Sequence, residues 1–299
     1  MAETITPRNV GQDDETSAAE PVAHVVRRAP GARELDWQKH VARTRARNLI
    51  LAVSVPVVLM VLWEIGARTD VIDTRFYASP SLVWDRLVSA VQDGTLQEHT
   101  IVTVRRLLLG YTLGSAAGIV VGLGLSQSAV LRAAFEPTLR GLYVIPKLAL
   151  LPVLLLLFGL GETPKIAFIT LGVFFIVAFS TLSAAMMIPT GYHEVADSYG
   201  FSRFQLFRWV VLPGSLPQIV AALRLASGIA VLLVVAVEFV QSNDGLGYLT
   251  WHSWELFLAD RMYMGIMCIS VLGVMFSGLV SLIGRWLVPW ADEGVGRRN

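Results

Sequence analysis

The chain contains 299 residues, of which 54% are hydrophobic and only 16% are charged, and its formal net charge is +1. Because soluble domains carry roughly 25% charged residues to cover their surfaces, this composition predicts a membrane protein and excludes a disordered or nucleic-acid-binding polypeptide. Cys268 is the single cysteine, which excludes an intrachain disulfide and a cysteine-based metal cluster.

The N-terminal segment differs in composition from the rest of the chain. Residues 1–26 are rich in Ala, Glu, Asp and Thr and show no periodic apolar pattern, which is typical of disorder. No apolar stretch follows a basic one there, so a signal peptide is not expected. We expect residues 1–48 to form a largely disordered tail and residues 49–299 to form the membrane domain, with its core at 100–288.

Several later stretches are long and apolar enough to cross a membrane, which takes about 20 residues of helix. They are Leu49–Gly66, Leu107–Leu131, Gly141–Gly161, Ile166–Tyr192, Leu216–Val240 and Met262–Gly284. We therefore predict an all-α, polytopic membrane protein with six transmembrane helices.

The positive charges between the spans predict the orientation. An even number of spans puts both termini on one side, and placing that side in the cytoplasm gives it most of the Lys and Arg of the loops, as the positive-inside rule requires. Arg105 and Arg106 lie at the outer end of the second span, and we expect both to snorkel to the interface.

A segment from Ser79 to Gln97 follows the first span and is too polar to cross the membrane. Its apolar residues fall on roughly one face of a helix that Ser79 or Ser81 can cap. We expect a short amphipathic helix at the outer interface. A connecting linker without further function is the alternative.

The sequence lacks the common motifs of nucleotide binding and catalysis. It has no GxxxxGKS/T loop and no HExxH, GxSxG or CxxC motif, and its five histidines are scattered over tails and loops. We therefore expect no catalytic, cofactor or metal site in this chain.

Glycines recur at four-residue spacing in the second span, at Gly110, Gly114, Gly118 and Gly122. A stripe without side chains lets another helix approach closely. The stripe is either a subunit interface or pore wall, or a packing surface within one subunit.

The segment between the fourth and fifth spans has the pattern of two short helices. Thr190 can cap the first helix, and Gly200 can end it, because glycine accepts the left-handed conformation that a helix C-terminus needs. Ser202 and Gln205 match a capping box that begins a second helix, which Pro213 would end. A helix–turn–helix that protrudes into the cytoplasm favours the docking of a partner, and an amphipathic connector is the alternative.

This segment resembles the EAA motif of the permease subunits of bacterial ABC importers: Glu-Ala-Ala, three residues, Gly, nine residues, Ile, one residue, Leu-Pro. The matching positions are Glu194, Val195, Ala196, Gly200, Val210, Leu212 and Pro213. The departures are Val195 for Ala and Val210 for Ile, and both replacements are apolar.

Further stretches are similar to the subfamily that imports sulfonates, taurine, nitrate and related small solutes. Among them are SPSLVWDRL, VRRLLLGYTLGSAAGI, IPKLALLPVLLLLFGLGETPKI and VAVEFVQSNDGLGYL. The resemblance covers about Ser79 to Leu287 and not the first 48 residues. Lys147 stands where the family often has a second proline, so the local helix geometry there departs from the family pattern.

The resemblance implies the type I permease fold of ABC importers in the bacterial cytoplasmic membrane. Two copies of the chain would form a homodimer, two separate ATPase subunits would bind ATP and Mg, and an extracytoplasmic solute-binding protein would deliver the solute. This chain would then be a non-catalytic subunit without a cofactor of its own. The residues that the resemblance assigns to ATPase coupling are Glu194, Ala196, Gly200, Ser202, Arg203, Leu212 and Pro213.

Polar residues inside the spans are the candidates for the solute path, since charged groups there usually face protein or water. Glu238 either lines the path or pairs with Lys147. The other candidates are Thr112, Ser115, Ser180 and Ser183, and the alternative for each is a hydrogen bond to its own helix backbone.

Two other functions are compatible with a polytopic chain. An ATP-independent secondary transporter would need coupling carboxylates near the midplane, and a membrane scaffold would transport nothing. Within the importer hypothesis, the solute remains a sulfonate, taurine, nitrate or related anion, or a pyrimidine-type vitamin precursor.

Overall fold

The computed structural model describes residues 32–290, and within this range the secondary structure is helical without a strand. The helices are α1 (Ala32–Arg68), α2 (Pro80–Gln92), α3 (Thr95–Ser126), α4 (Ala129–Val144), α5 (Leu151–Phe158), α6 (Glu162–Met186), α7 (Thr190–Ser198), α8 (Arg203–Leu206), α9 (Leu212–Gln241), α10 (Leu246–Glu255) and α11 (Ala259–Leu287). A short 3-10 helix, Lys147–Leu150, precedes α5, and a π-helical turn, Phe207–Val211, joins α8 to α9.

The chain divides after Val58 into two units. The first unit contains the beginning of α1, so residues 32–48 are helical, although we expected them in the disordered tail. Residues 1–31 of that tail lie outside the described residues. The second unit, from Leu59 onward, contains the other helices.

The expected third span is bent in the structure. Within residues 32–290, five helical segments are long and apolar enough to cross a membrane, and a sixth exists only if α4 and the helix from Lys147 to Phe158 are counted together, at 97° to each other. The break lies at Ile145, whose ψ of 128° is extended. Pro146 follows it, and a residue before proline is disfavoured in the helical conformation. The predicted third span, Gly141–Gly161, is therefore not one continuous helix in the structure.

The glycine stripe of the second span packs against α6 in the same subunit. A Cβ at Gly114 would lie 2.6 Å from the carbonyl oxygen of Thr170, and one at Gly118 would lie 2.9 Å from that of Phe174. Backbones in such close contact leave no room for a side chain. Of the two interpretations of the stripe, the structure favours packing within one subunit.

The core lies where α3, α6 and α9 meet. Phe168 and Val173 of α6, Val234 of α9 and Phe276 of α11 are buried together, and Leu151 at the start of α5 joins them. A second, smaller cluster packs α2 against α10 and α11. The predicted amphipathic helix is α2, and Ser79 caps it by accepting a hydrogen bond from the N–H of Leu82 at 3.3 Å.

Candidate functional site

Gly200 forms the bend between α7 and α8. Its φ is +71°, and its N–H donates to the carbonyl of Asp197 at 3.0 Å while the N–H of Phe201 donates to that of Ala196 at 3.0 Å. These two bonds make a Schellman motif, which requires a left-handed residue after the helix. The predicted left-handed position is confirmed. A Cβ on Gly200 would meet no atom within 4 Å. Glycine is therefore favoured here by the left-handed backbone conformation and not by a lack of space.

The next helix begins with the predicted capping box. The side chain of Ser202 accepts a hydrogen bond from the N–H of Gln205 at 3.3 Å, and the side chain of Gln205 accepts one from the N–H of Ser202 at 2.8 Å. Reciprocal bonds of this kind satisfy two donors that would otherwise lack partners at a helix N-terminus. Together the motif at Gly200 and the box at Ser202 fix the angle between α7 and α8.

Pro213 does not end the second helix, so that prediction was wrong. The helix passes through a π-helical turn, in which the N–H of Leu212 bonds to the carbonyl of Phe207, and continues as α9 with Pro213 in its first turn. Proline lacks an N–H and its ring collides with the carbonyl four residues earlier, and the wider π-turn accommodates it. The α7–α8 loop is thus joined to a spanning helix without an interruption.

The start of α7 also differs from the prediction. Thr190 is its first residue, and Pro189 occupies the capping position without a side-chain hydrogen bond. The fixed φ of proline, followed by an extended ψ of 139°, sets the direction in which the chain enters the helix.

The α7–α8 loop, residues 190–206, has one anchored side chain on α7 and several exposed side chains around its bend. Ala196 is buried, whereas Glu194 and Arg203 are exposed. Tyr199 and Phe204 expose 79% and 73% of their surfaces. The open side therefore combines charge with large apolar groups, which is the composition of a protein-docking surface. Leu212 and Pro213 are half-buried at the base of the loop.

Glu238 is fully buried and does not pair with Lys147, so that interpretation was wrong. Its carboxylate accepts hydrogen bonds from Thr103 at 2.9 Å, from Arg106 at 2.9 Å and from the N–H of Gly247 at 2.8 Å. These partners come from α3 and from the start of α10. The carboxylate thus joins three segments that are distant in sequence.

Arg106 is the centre of this network. Its guanidinium makes a bidentate pair with Glu162 at 2.6 and 2.7 Å, and it also bonds to Glu238 and to both the carbonyl and the carboxylate of Asp244. All five N–H groups of the guanidinium thus donate a hydrogen bond. Arg106 has no exposed surface, which corrects the expectation that it snorkels to the interface.

Lys165 and Asp244 complete the network at its rim. The ammonium of Lys165 donates to Glu162 at 2.9 Å and to Ser242 at 3.1 Å. Burial of Asp244 opposes its ionisation, but hydrogen bonds from Arg106 and Ser242 outweigh this effect and hold the pKa of that carboxyl below its usual value.

The remaining solute-path candidates fall into two separate places. Thr112 and Ser115 line an apolar cavity between α3, α9 and α11, and the hydroxyl of Thr112 donates to the carbonyl of Leu108 in its own helix at 2.7 Å. Ser180 and Ser183 line a different cavity, beside α4. The structure brings neither pair together with Glu238 in one cavity.

Residues 114–295 match a protein family described as the inner membrane component of binding-protein-dependent transport systems. The chain belongs to this family. It is a transmembrane permease subunit of an ABC importer and a multi-pass membrane protein.

Individual relatives support this assignment. The chain is 29% identical over 267 residues to the taurine transport system permease protein of Escherichia coli, covering 88% of this chain and 96% of that protein. It is also 29% identical over 242 residues to the riboflavin transport system permease protein of Chloroflexus aurantiacus, covering 80% and 90%. A solved bacterial alginate ABC transporter, bound to a periplasmic protein with an alginate pentasaccharide, has a chain of the same fold: TM-score 0.57, 14% identity, 85% of this chain and 96% of that one.

The matched range of the permease includes both helices of the α7–α8 loop and Glu238, but it begins after Arg106. An ATP-independent secondary transporter finds no support in these relationships. The sequence analysis did not assign two groups of residues to a site in the permease. Tyr199 and Phe204 are aromatics in the segment that it singled out, and Arg106 was recognised as a charge at the border of an apolar span but was expected at the interface.

Proposed function

We propose that this permease works as a homodimer with both termini in the cytoplasm, bound to two ATPase subunits and served by an extracytoplasmic solute-binding protein. The α7–α8 loop transmits the closing movement of the ATPase subunits to the spans. The transported solute is a small anion such as a sulfonate, taurine or nitrate. ATP and Mg belong to the ATPase subunits, and this chain is not catalytic.

The observation that carries the coupling role is the rigid connection of the loop to α9. A lever must keep its angle under load, and the two motifs at Gly200 and Ser202 fix that angle with four backbone and side-chain hydrogen bonds. The π-turn then passes movement directly into a spanning helix. A loop of irregular backbone would bend instead of transmitting a displacement.

The exposed side of the loop supports the role of an ATPase-docking surface. Tyr199 and Phe204 supply large apolar contact area, and Glu194 and Arg203 supply charges that have no ion-pair partner among the described residues. Interfaces are commonly anchored by aromatic residues and arginine. We therefore assign Glu194, Arg203, Tyr199 and Phe204 to contact with the ATPase, and Ala196, Gly200, Ser202, Leu212 and Pro213 to the shape of the loop.

Co-purification with the cognate ATPase tests this proposal. The tagged permease, co-expressed with the ATPase of its own transport system, should retain that protein on the affinity column. Tyr199→Asp should lose it, because a carboxylate is placed in the centre of the apolar contact. Trp84→Asp is the matched control, since Trp84 is also an exposed aromatic but lies on α2. Equal retention by both variants would contradict the docking assignment.

A further inference from the structure

Three successive backbone N–H groups at the start of α10 each donate a hydrogen bond to a side chain of another helix. The N–H of Gly245 donates to Nδ1 of His99 at 3.0 Å, and the next N–H donates to the hydroxyl of Thr103 at 2.8 Å. The third donates to the carboxylate of Glu238 at 2.8 Å. The donors belong to residues 245–247, which are buried. Because N–H groups at a helix N-terminus have no partner within that helix, these three acceptors, which we call the α10 cap, hold α10 against α3 and α9.

His99 is the member of the α10 cap whose charge changes in the ordinary range between about pH 5 and 8. Its Nδ1 can accept a hydrogen bond only while it carries no hydrogen, so the bonded imidazole is neutral with its hydrogen on Nε2. Protonation would place a hydrogen on Nδ1, which would then face the N–H of Gly245, one donor against another. The side chain of His99 is only half-buried, so a proton can reach it from water.

The charged and titratable groups around His99 come from several elements of the fold. Those nearest to it are Glu98 on α3, Asp244 in the α9–α10 turn, Arg261 on α11 and Tyr248 on α10, whose ring centroid lies 6.1 Å away. Further charges on neighbouring elements are Glu238 of α9, Glu162 and Lys165 of α6, and Arg86 of α2, and each of these is paired with another charge. Within the described part of the chain, no carboxylate lies within ion-pair distance of the imidazole. An imidazolium would therefore lie at the positive end of the α10 dipole without a paired anion.

We propose that the α10 cap is a pH-sensitive switch, in which neutral His99 holds the turn at Gly245 and protonated His99 releases it. Since only the neutral imidazole accepts the bond, protons bind more tightly to the released turn. The hold is therefore present at higher pH and is lost as the pH falls.

The position of the switch indicates which pH it senses. The turn at Gly245 follows the end of α9 that lies opposite the α7–α8 loop. Under the topology of the proposed function, on which this step rests, His99 lies on the outer side of the membrane. Acidification of the outer medium should thus loosen the start of α10.

Hydrogen exchange of the α10 amides tests the switch. The full-length permease in nonionic detergent is exchanged at about pH 7.5 and at about pH 5.5, which lie on either side of the usual titration of histidine. Mass spectrometry of peptides from Leu246–Glu255 gives protection factors, in which the pH dependence of free amide exchange is divided out. The wild type should lose roughly tenfold in protection at the lower pH, as expected when a buried donor loses its acceptor.

Two substitutions of His99 separate its hydrogen bond from its titration. His99→Asn supplies an amide oxygen on the same side-chain carbon that carries Nδ1, so it can accept the bond but does not titrate, and its protection should be equal at both pH values. His99→Phe keeps a ring without an acceptor, so its protection should already be roughly tenfold lower at about pH 7.5 and should not fall further. His252→Asn is the matched control, because His252 stacks on Tyr248 in α10, and it should keep the wild-type pH dependence.

Equal protection of the wild type at both pH values would overturn the proposal, as would a loss in His99→Asn as large as that of the wild type. If His99→Asn is unstable, His99→Phe decides, since a further fall in its protection equal to that of the wild type would also contradict the switch. The measurement requires neither ATPase nor binding protein. The Tyr199→Asp variant should therefore show the wild-type pH dependence, which separates failure of the switch from failure of the coupling proposal.

Discussion

The buried pair of Arg106 and Glu238 is the place where a single substitution should destabilise the permease most. Both side chains have no exposed surface, and within the described residues Arg106 is the one cation paired with Glu238, while Glu162 and Asp244 also pair with Arg106. Removing Arg106 would leave the buried carboxylate of Glu238 without a cation, and removing Glu238 takes from Arg106 its one fully buried carboxylate partner.

Glu238→Ala should therefore lower the free energy of unfolding by about 3–5 kcal/mol. Glu238→Gln should be milder, because the amide keeps the shape of the side chain and its one oxygen can still accept from either Arg106 or the N–H of Gly247, which bond to different oxygens of the carboxylate. Unfolding by heat or by sodium dodecyl sulfate in detergent micelles measures the difference. Asp73→Ala is the control, since the Asp73–Arg75 pair is exposed and its loss should change stability little. Equal effects of Glu238→Ala and Asp73→Ala would show that the buried network does not stabilise the fold.

The partners of Arg106 could not be read from the sequence. Glu162, Glu238 and Asp244 lie 56 or more residues away along the chain, and the spacing of residues on one helix does not say which distant helix a side chain meets. The bend at Gly200 and the cap at Ser202 were predictable because their hydrogen bonds join residues at most five positions apart.

At the scale of helices, contact between α3 and α6 depends on the absence of side chains. Gly114 approaches the backbone of α6 at Thr170, whereas Gly124, on the same helix, would have no atom within 4 Å of an added Cβ. The two glycines therefore differ in surroundings and share their helical conformation, which makes them a matched pair.

Gly114→Ala should destabilise the permease by about 1–3 kcal/mol, because the methyl group forces two helices apart. Gly124→Ala should be neutral or stabilising by up to about 1 kcal/mol, since alanine favours a helix over glycine. Both are measured by unfolding in detergent. If Gly114→Ala proves as harmless as Gly124→Ala, close packing of α3 on α6 is not what the stripe provides.

The apolar pattern located most helices, but two prolines changed how they connect. Hydropathy placed the last turn of α4 and the whole of α5 in one span, Gly141–Gly161, whereas the chain bends at Pro146. Pro213 was predicted to end the helix, whereas a π-turn precedes it and the helix continues through it as α9. Proline marks an irregularity in a helix, and the packing around it decides whether the helix ends, bends or continues.

At the scale of the whole molecule, the proposed topology places α2 outside and the N-terminal tail inside the cell. A cysteine at Gln92, an exposed residue at the end of α2, should be labelled by an impermeant maleimide in intact cells. A cysteine at Gln12 should be labelled only after the membrane is permeabilised. Both variants are made with Cys268 replaced by serine, because the native thiol would otherwise contribute to the signal. The reverse pattern would invert the topology and place the α7–α8 loop outside, where no ATPase could reach it.

Coupling between the loop and the ATPase is the central claim, and Gly200 offers the most direct measurement of it. A β-branched residue at a left-handed position costs on the order of 1–2 kcal/mol of backbone strain, which the loop can relieve by changing its angle. Gly191 lies in the same loop, and a Cβ there would also meet no atom within 4 Å, but its φ is not positive.

The ATPase rate of the reconstituted importer should be measured with and without the solute-loaded binding protein. Gly200→Val should insert into the membrane normally and lose the stimulation by the loaded protein. Gly200→Asn should lose less of this stimulation, because asparagine tolerates the left-handed region better. Gly191→Val should behave as the wild type. Full stimulation in Gly200→Val would contradict the claim that the fixed angle of this loop transmits the work of the ATPase.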